Sequence, residues 1–250
     1  MIRVTTLLIV LAQVTRERRS IMRTIPVRTL CAGALALLTF VGGAVAQTTS
    51  SPVLSSLEVQ QLITRAEPAD HARLGAHFTA LAERYAADAR RHTAMSKAVG
   101  GNPNRQMATG SSARYTRLAE LNTQSAATLR ELAAYHEGLA AGKASVAPRG
   151  GARFEGGAGA PAPTTEQLTA LAARASTPAD HRGLEEYFLT LAKRHTADAN
   201  DHAMMARTYR GTKIAQAAAH CDHMVMLLRD SAKEATAAAE LHKSLAGIAR

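Results

Sequence analysis

Tryptophan is absent from this sequence, and its 250 residues carry only five tyrosines and four phenylalanines. A core cannot then be built on bulky rings, and the abundance of alanine points to helices that approach one another closely. Cysteine is scarce as well. Cys31 lies inside an N-terminal apolar run and Cys221 stands alone in the remainder, so neither an intrachain disulfide framework nor a CxxCH haem motif exists. No convincing strand is present, and no glycine-rich phosphate loop follows one. Cys221 with His202 or His220 could mimic a thiol and its base, but a long helical seam offers no cleft for a substrate. The chain is therefore read as not an enzyme.

Acidic residues are outnumbered, with 30 Lys+Arg against 20 Asp+Glu and a net charge of +10. Much of that excess sits at the N-terminus, where residues 1–46 hold six basic residues and one acid, leaving 24 bases and 19 acids beyond them. Met22-Arg23 and Arg28 form a charged lead, Leu30 to Val45 is apolar, and Ala44-Val45-Ala46 before Gln47 is a small-residue cleavage site. Residues 22–46 are expected to be a secretory signal, with Met22 as an alternative start to Met1. The run is short and contains glycine, so no membrane span is expected after cleavage. The protein is expected in the periplasm or outside the cell. The remaining mild positive charge is spread along the chain and makes no case for nucleic acid.

What the chain does have is internal similarity. Pro68 to Val99 (PADHARLGAHFTALAERYAADARRHTAMSKAV) and Pro178 to Tyr209 (PADHRGLEEYFLTLAKRHTADANDHAMMARTY) align at an offset of 110 residues. Leu74/Leu184, Phe78/Phe188, Leu81/Leu191, Asp88/Asp198, His92/His202 and Met95/Met205 are identical pairs spaced alternately by three and four, the seam of a packed helix. A second seam, Tyr115, Leu118, Asn122, Ser125, Leu129, Leu132, His136 and Leu139, corresponds at an offset of 106 to Cys221 through Leu245, with Ser125/Ser231 and His136/His242 identical. A short helix precedes each long pair, at Ser55 to Ala66 and at Thr164 to Ala175. Residues 142–163 (GKASVAPRGGARFEGGAGAPAP) have no period and read as a flexible Gly/Ala/Pro linker between a first hairpin over 55–141 and a second over 164–250.

The expected fold is all-α: two tandem antiparallel helical hairpins, packed on one another as a four-helix bundle or each paired with a second chain. Helices of 32–36 residues would each span roughly 50 Å. This pattern, PADH opening an alanine-rich helix whose partner ends in histidine, resembles exported bacterial helical-repeat proteins of unassigned function. The resemblance implies no activity, cofactor or binding residue.

Chemistry could reside where the seams turn polar. Counting from the turns places His202 level with His220 and Cys221, His181 level with His242, His71 opposite His136, and His92 opposite Tyr115. Asp198 and His202 at i, i+4 face one way as metal ligands would, and Cys, His and Met together suit copper or zinc. The candidate metal ligands are thus His202, Asp198, His220 and Cys221, with His181 and His242 as a further pair. The structural alternatives are equally concrete. An Asp–His pair can fix register as a buried polar contact, Asp70 and Asp180 cap helices, and Met95 and Met205 fill core. The leading functional reading is an exported binding or structural protein of the cell envelope, with a protein partner or a homodimer. The alternative is a periplasmic copper- or zinc-binding bundle.

Overall fold

The structure, a computed structural model, describes residues 53–101, 105–142 and 163–249, the side chains of 105–109 excepted. The expected secretory signal, and residues 143–162 of the linker expected over 142–163, lie outside the described residues. All regular structure among the described residues is helical: α1 (Ser56–Arg65), α2 (Pro68–Gly100), α3 (Arg105–Ala140), α4 (Thr165–Arg174), α5 (Pro178–Arg210) and α6 (Ala217–Ile248). None of these helices is long and apolar enough to cross a membrane.

Local chemistry sets where the helices begin. Ser55 and Glu58 form a capping box at α1, Thr164 and Gln167 do so at α4, and Thr177 with Asp180 does so at α5. Pro68 and Pro178 occupy the first turns of α2 and α5, where a missing N–H leaves no bond unmade. Asp70 also accepts a 2.8 Å bond from Arg65, so α1 and α2 are pinned at a sharp corner.

The two corners are not alike. Ala175-Ser176-Thr177-Pro178 has one residue more than Ala66-Glu67-Pro68. The shorter link turns by placing Ala66 in the left-handed region at φ 54°, whereas Ala175 keeps φ −52°. A left-handed alanine is strained by its Cβ, at a cost of about 1–2 kcal/mol.

The helical period taken from the sequence predicts a last helix from about Lys213, but α6 begins at Ala217. The Thr212 hydroxyl donates to the Tyr209 carbonyl at 2.8 Å and accepts from the Ile214 amide at 3.3 Å. That side-chain bonding competes with helix and holds an open turn, which drops Ile214 into the core.

Packing mixes the halves. α2 packs along α3 and α5 along α6, while α3 and α6 contact each other across the middle. The short helices cross over: α1 lies on α5 as well as α2, and α4 lies on α2 as well as α5. One apolar cluster joins Val59, Ile63, Phe78 and Leu132 of the first half to Tyr209 and Met224 of the second. The other joins Met95 and Tyr115 to Leu168, Leu184, Phe188 and Ala238. The first cluster therefore takes the start of α2 and the later part of α3 with the end of α5 and the start of α6, and the second takes the reverse. At the junction of the clusters, the buried positions include Asp88, His92, Asn122, Ser125, His195 and Ser231.

The unlike corners give a paired test. Ala66→Gly should raise stability by roughly 1 kcal/mol, because glycine tolerates positive φ, while Ala175→Gly should lower it. Urea denaturation of both variants reads this out; equal shifts of one sign would contradict the corner geometry.

Candidate functional site

No Cα of α2 approaches α5 within 8 Å, so side chains bridge that side of the molecule. The Arg84 guanidinium donates to Asp198 at 2.6 Å, and Arg194 reaches back to Asp88, which also accepts from Arg91 at 2.8 Å. The two cross-links exchange under the 110-residue offset, Arg84 with Arg194 and Asp88 with Asp198. The Tyr85 hydroxyl adds a 2.5 Å bond to Asp198. Asp88 is 3% exposed and Asp198 18%, so both charges are largely withdrawn from water and must be paired. Arg84 and Arg194 escaped the sequence reading, although each stands four residues before the matched aspartate in both segments.

Behind this clasp His195 is fully buried beside Tyr85, ring centres 6.0 Å apart, and neither of its ring nitrogens has a protein partner. Burial, reinforced by the positive Arg194, pushes its pKa down to about 2, so the ring is neutral.

Flanking the clasp, two related positions have diverged. Tyr187 contacts His92 through its hydroxyl at 3.1 Å from Nε2, and Asn122 reaches Nδ1 of the same ring at 3.3 Å. At the 110-residue counterpart His77 replaces the tyrosine, and Leu228 replaces Asn122 at the 106-residue counterpart. There a cavity of about 60 Å³ is lined by Leu54, His77, Arg84, Asp198, His202 and Met205 among others. The Leu54 amide donates to His77 Nδ1 at 3.1 Å, which puts the proton of the neutral ring on Nε2. His77 Nε2 and His202 Nδ1 have no protein partner, and burial lowers both pKa values to about 4.

At the two ends stand histidine pairs. His71 and His136 meet Nδ1 to Nδ1 at 3.1 Å, and the far Nε2 of His136 lies 2.7 Å from the Tyr209 hydroxyl. His181 and His242 meet Nδ1 to Nδ1 at 3.2 Å, and Nε2 of His242 lies 2.6 Å from the Tyr115 hydroxyl. Burial holds all four imidazoles below their ordinary pKa, His136 at about 3 and His242 at about 4.

The six residues singled out from sequence thus separate. His181 and His242 come together, in direct contact. Asp198 is held by Arg84 and Tyr85, and His202 lines the small cavity beside it. His220 faces Glu131 at 3.7 Å on α3, partly exposed. Cys221 is fully buried in the apolar cluster, where burial pushes its thiol up to about 12 and away from a thiolate. Among the described residues no three His, Cys, Asp or Glu side chains converge in a way that could hold a metal ion. Register within one pair of long helices does not decide these partners, because α1 and α2 draw Asp198 and His202 to themselves while Cys221 stays in the apolar cluster.

Comparison with known proteins found no matching family model, no matching curated protein and no matching solved structure.

Two outcomes follow from this geometry. Removing Asp88 (Asp88→Asn) leaves Arg194 and Arg91 without their acceptor charge and should destabilise the protein by about 3 kcal/mol. Arg194→Met alone should cost less, since Arg91 still pairs Asp88, and a double-mutant cycle measures the coupling. The second outcome concerns pH. Six buried histidines (His77, His92, His136, His195, His202 and His242) have native pKa values between about 2 and about 4, below the ordinary 6.5. The unfolded chain therefore binds more protons, so stability is full above pH 6.5 and falls as pH drops towards 4. Each such group contributes up to about 1.4 kcal/mol per pH unit across that window. Thermal melts from pH 7.5 to 4.5 should show a steep fall in Tm, which His195→Leu should make shallower; a flat profile would contradict the burial of neutral rings.

Proposed function

We propose that this chain is an exported, non-catalytic helical protein of the cell envelope, a binding or structural module whose six helices form a four-helix bundle clasped by two short ones. In this reading the bundle is a duplicated hairpin, and α1 and α4 are the arms by which each copy grips the other. The observation that carries it is the reciprocal Arg84–Asp198 and Arg194–Asp88 clasp. The strongest buried charges are directed at one another across the helices and tie the two hairpins into one body, as a framework requires. The other inward polar groups support the same reading, since the histidines are neutral and several are bonded to tyrosine, serving register more than reaction. Export rests on the charged lead, the apolar run and the small-residue site before Gln47.

Fractionation with mass spectrometry tests the compartment, and native mass measurement on the same fraction tests the role. The envelope-fraction chain should begin at Gln47 and run as a larger assembly than the purified chain. A cytoplasmic chain retaining residues 22–46 would overturn export, and a monomer in the envelope extract would overturn the binding role.

A further inference from the structure

The two histidine pairs differ from ordinary satisfied core histidines in one respect: the same three-group unit is assembled at both ends from different residues. His71 corresponds to His181 and His136 to His242, but the tyrosines do not correspond. Tyr115 belongs to α3 and has Cys221 as its counterpart, whereas Tyr209 belongs to α5 and has Val99 as its counterpart. Each hairpin thus places its turn-end tyrosine on the opposite member of its helix pair. Even so, a phenol oxygen arrives within 2.7 Å of Nε2 of the inner histidine at both ends. Filling space alone would not require the hydroxyl to find the same nitrogen by two routes.

The inner ring is thereby anchored through Nε2 and turns its Nδ1 toward the outer ring. Ring centres lie 5.2 Å apart in one pair and 5.4 Å in the other, so the facing Nδ1 atoms lie nearly on the line joining the rings, with one proton shared between them. Both pairs are buried, and each outer histidine follows a carboxylate directly in sequence, Asp70 or Asp180, which favours positive charge beside it. An imidazole held by an oxygen at one nitrogen and presenting the other is how metal-binding histidines are oriented.

We infer that His71 with His136, and His181 with His242, are two equivalent sites for a two-coordinate, soft monovalent d10 cation, copper(I) or its analogue silver(I), held between facing Nδ1 atoms. Two donors in line match the linear preference of that class, whereas zinc favours four ligands. A metal–imidazole bond is about 2.0 Å, so the facing nitrogens must part to roughly 4 Å. The outer histidines stand in the first turns of α2 and α5, next to the corners, so the displacement falls on a helix end and not on a helix middle. The step balances without redox change. The cation takes the place of the proton shared between the two Nδ1 atoms, and that proton moves to the Nε2 of one of the two rings, so none is released. The Tyr209 or Tyr115 oxygen accepts from Nε2–H of the inner ring. Affinity should accordingly be flat with pH above 6.5.

The mature chain is titrated with copper(I) under anaerobic conditions against a chromogenic copper(I) chelator, and with silver(I) followed by imidazole nitrogen resonances. Two equivalents should bind, with changes at the four Nδ1 atoms. His136→Gln and His242→Gln should each remove one equivalent, the double variant both, and Cys221→Ser neither. If an inner substitution disturbs folding, as circular dichroism of the metal-free variant would reveal, His71→Gln and His181→Gln report the same losses. Tyr209→Phe, which keeps both rings of its pair, should retain the ion at about tenfold weaker affinity. No ion retained against the chelator, two equivalents surviving in the double variant, or loss on Cys221→Ser would each overturn the assignment.

Discussion

Two carboxylates on long helices, Asp88 and Asp198, are carried into a largely dry interior, and each needs a cation that its own hairpin does not fully supply. Arg194 and Arg84 each come from the other pair of long helices, with Arg91 beside Asp88 on its own helix, so both aspartates are neutralised across the molecule. Most of the architecture follows from that dependence. α2 and α5 stand apart by the reach of an arginine, and the gap between them is closed at its ends by α1 and α4 and in its centre by Tyr85, Tyr187 and His195. Both apolar clusters draw on both halves for the same reason.

A core of this kind trades bulk for polarity. With no tryptophan available, volume is supplied by alanine, leucine and a few rings, and eight of the ten histidines are buried. Each of those eight is kept neutral by desolvation, which makes folding sensitive to mild acid and places proton-free nitrogens in the interior. Unlike partners then separate the fates of like positions. His92 is satisfied by Tyr187 and Asn122, whereas His202, opposite His77 and Leu228, borders a cavity. Small replacements between related positions therefore create local chemistry without altering the packing plan.

Helix positions were legible because they depend on neighbours in sequence. Period, capping residues and proline placed α1, α2, α4 and α5 to within a residue or so, and failed at the start of α6, where the Thr212 hydroxyl competes with the helix for backbone bonds. The His71–His136 and His181–His242 levels were also legible, since counting away from a hairpin turn needs only the helical rise. The same count puts His202 level with Cys221 but does not give which neighbour each faces: level residues on adjacent helices can face different partners, and the count omits the other long helices. Cys221 lies in an apolar cluster, while His202 turns towards α1 and α2.

By itself, then, the sequence determined the helical class, the lengths and ends of most elements, the correspondence between two segments and the level of each polar residue along its helix. These are properties of one chain segment and its nearest turn, governed by backbone geometry and local bonding. The tertiary structure decided the partners: which arginine neutralises which aspartate, which tyrosine meets which histidine, and which short helix covers which long one. Those choices depend on rotation about helix axes and on the approach of residues more than a hundred positions apart, where burial of charge and ring volume, not periodicity, selects the contact.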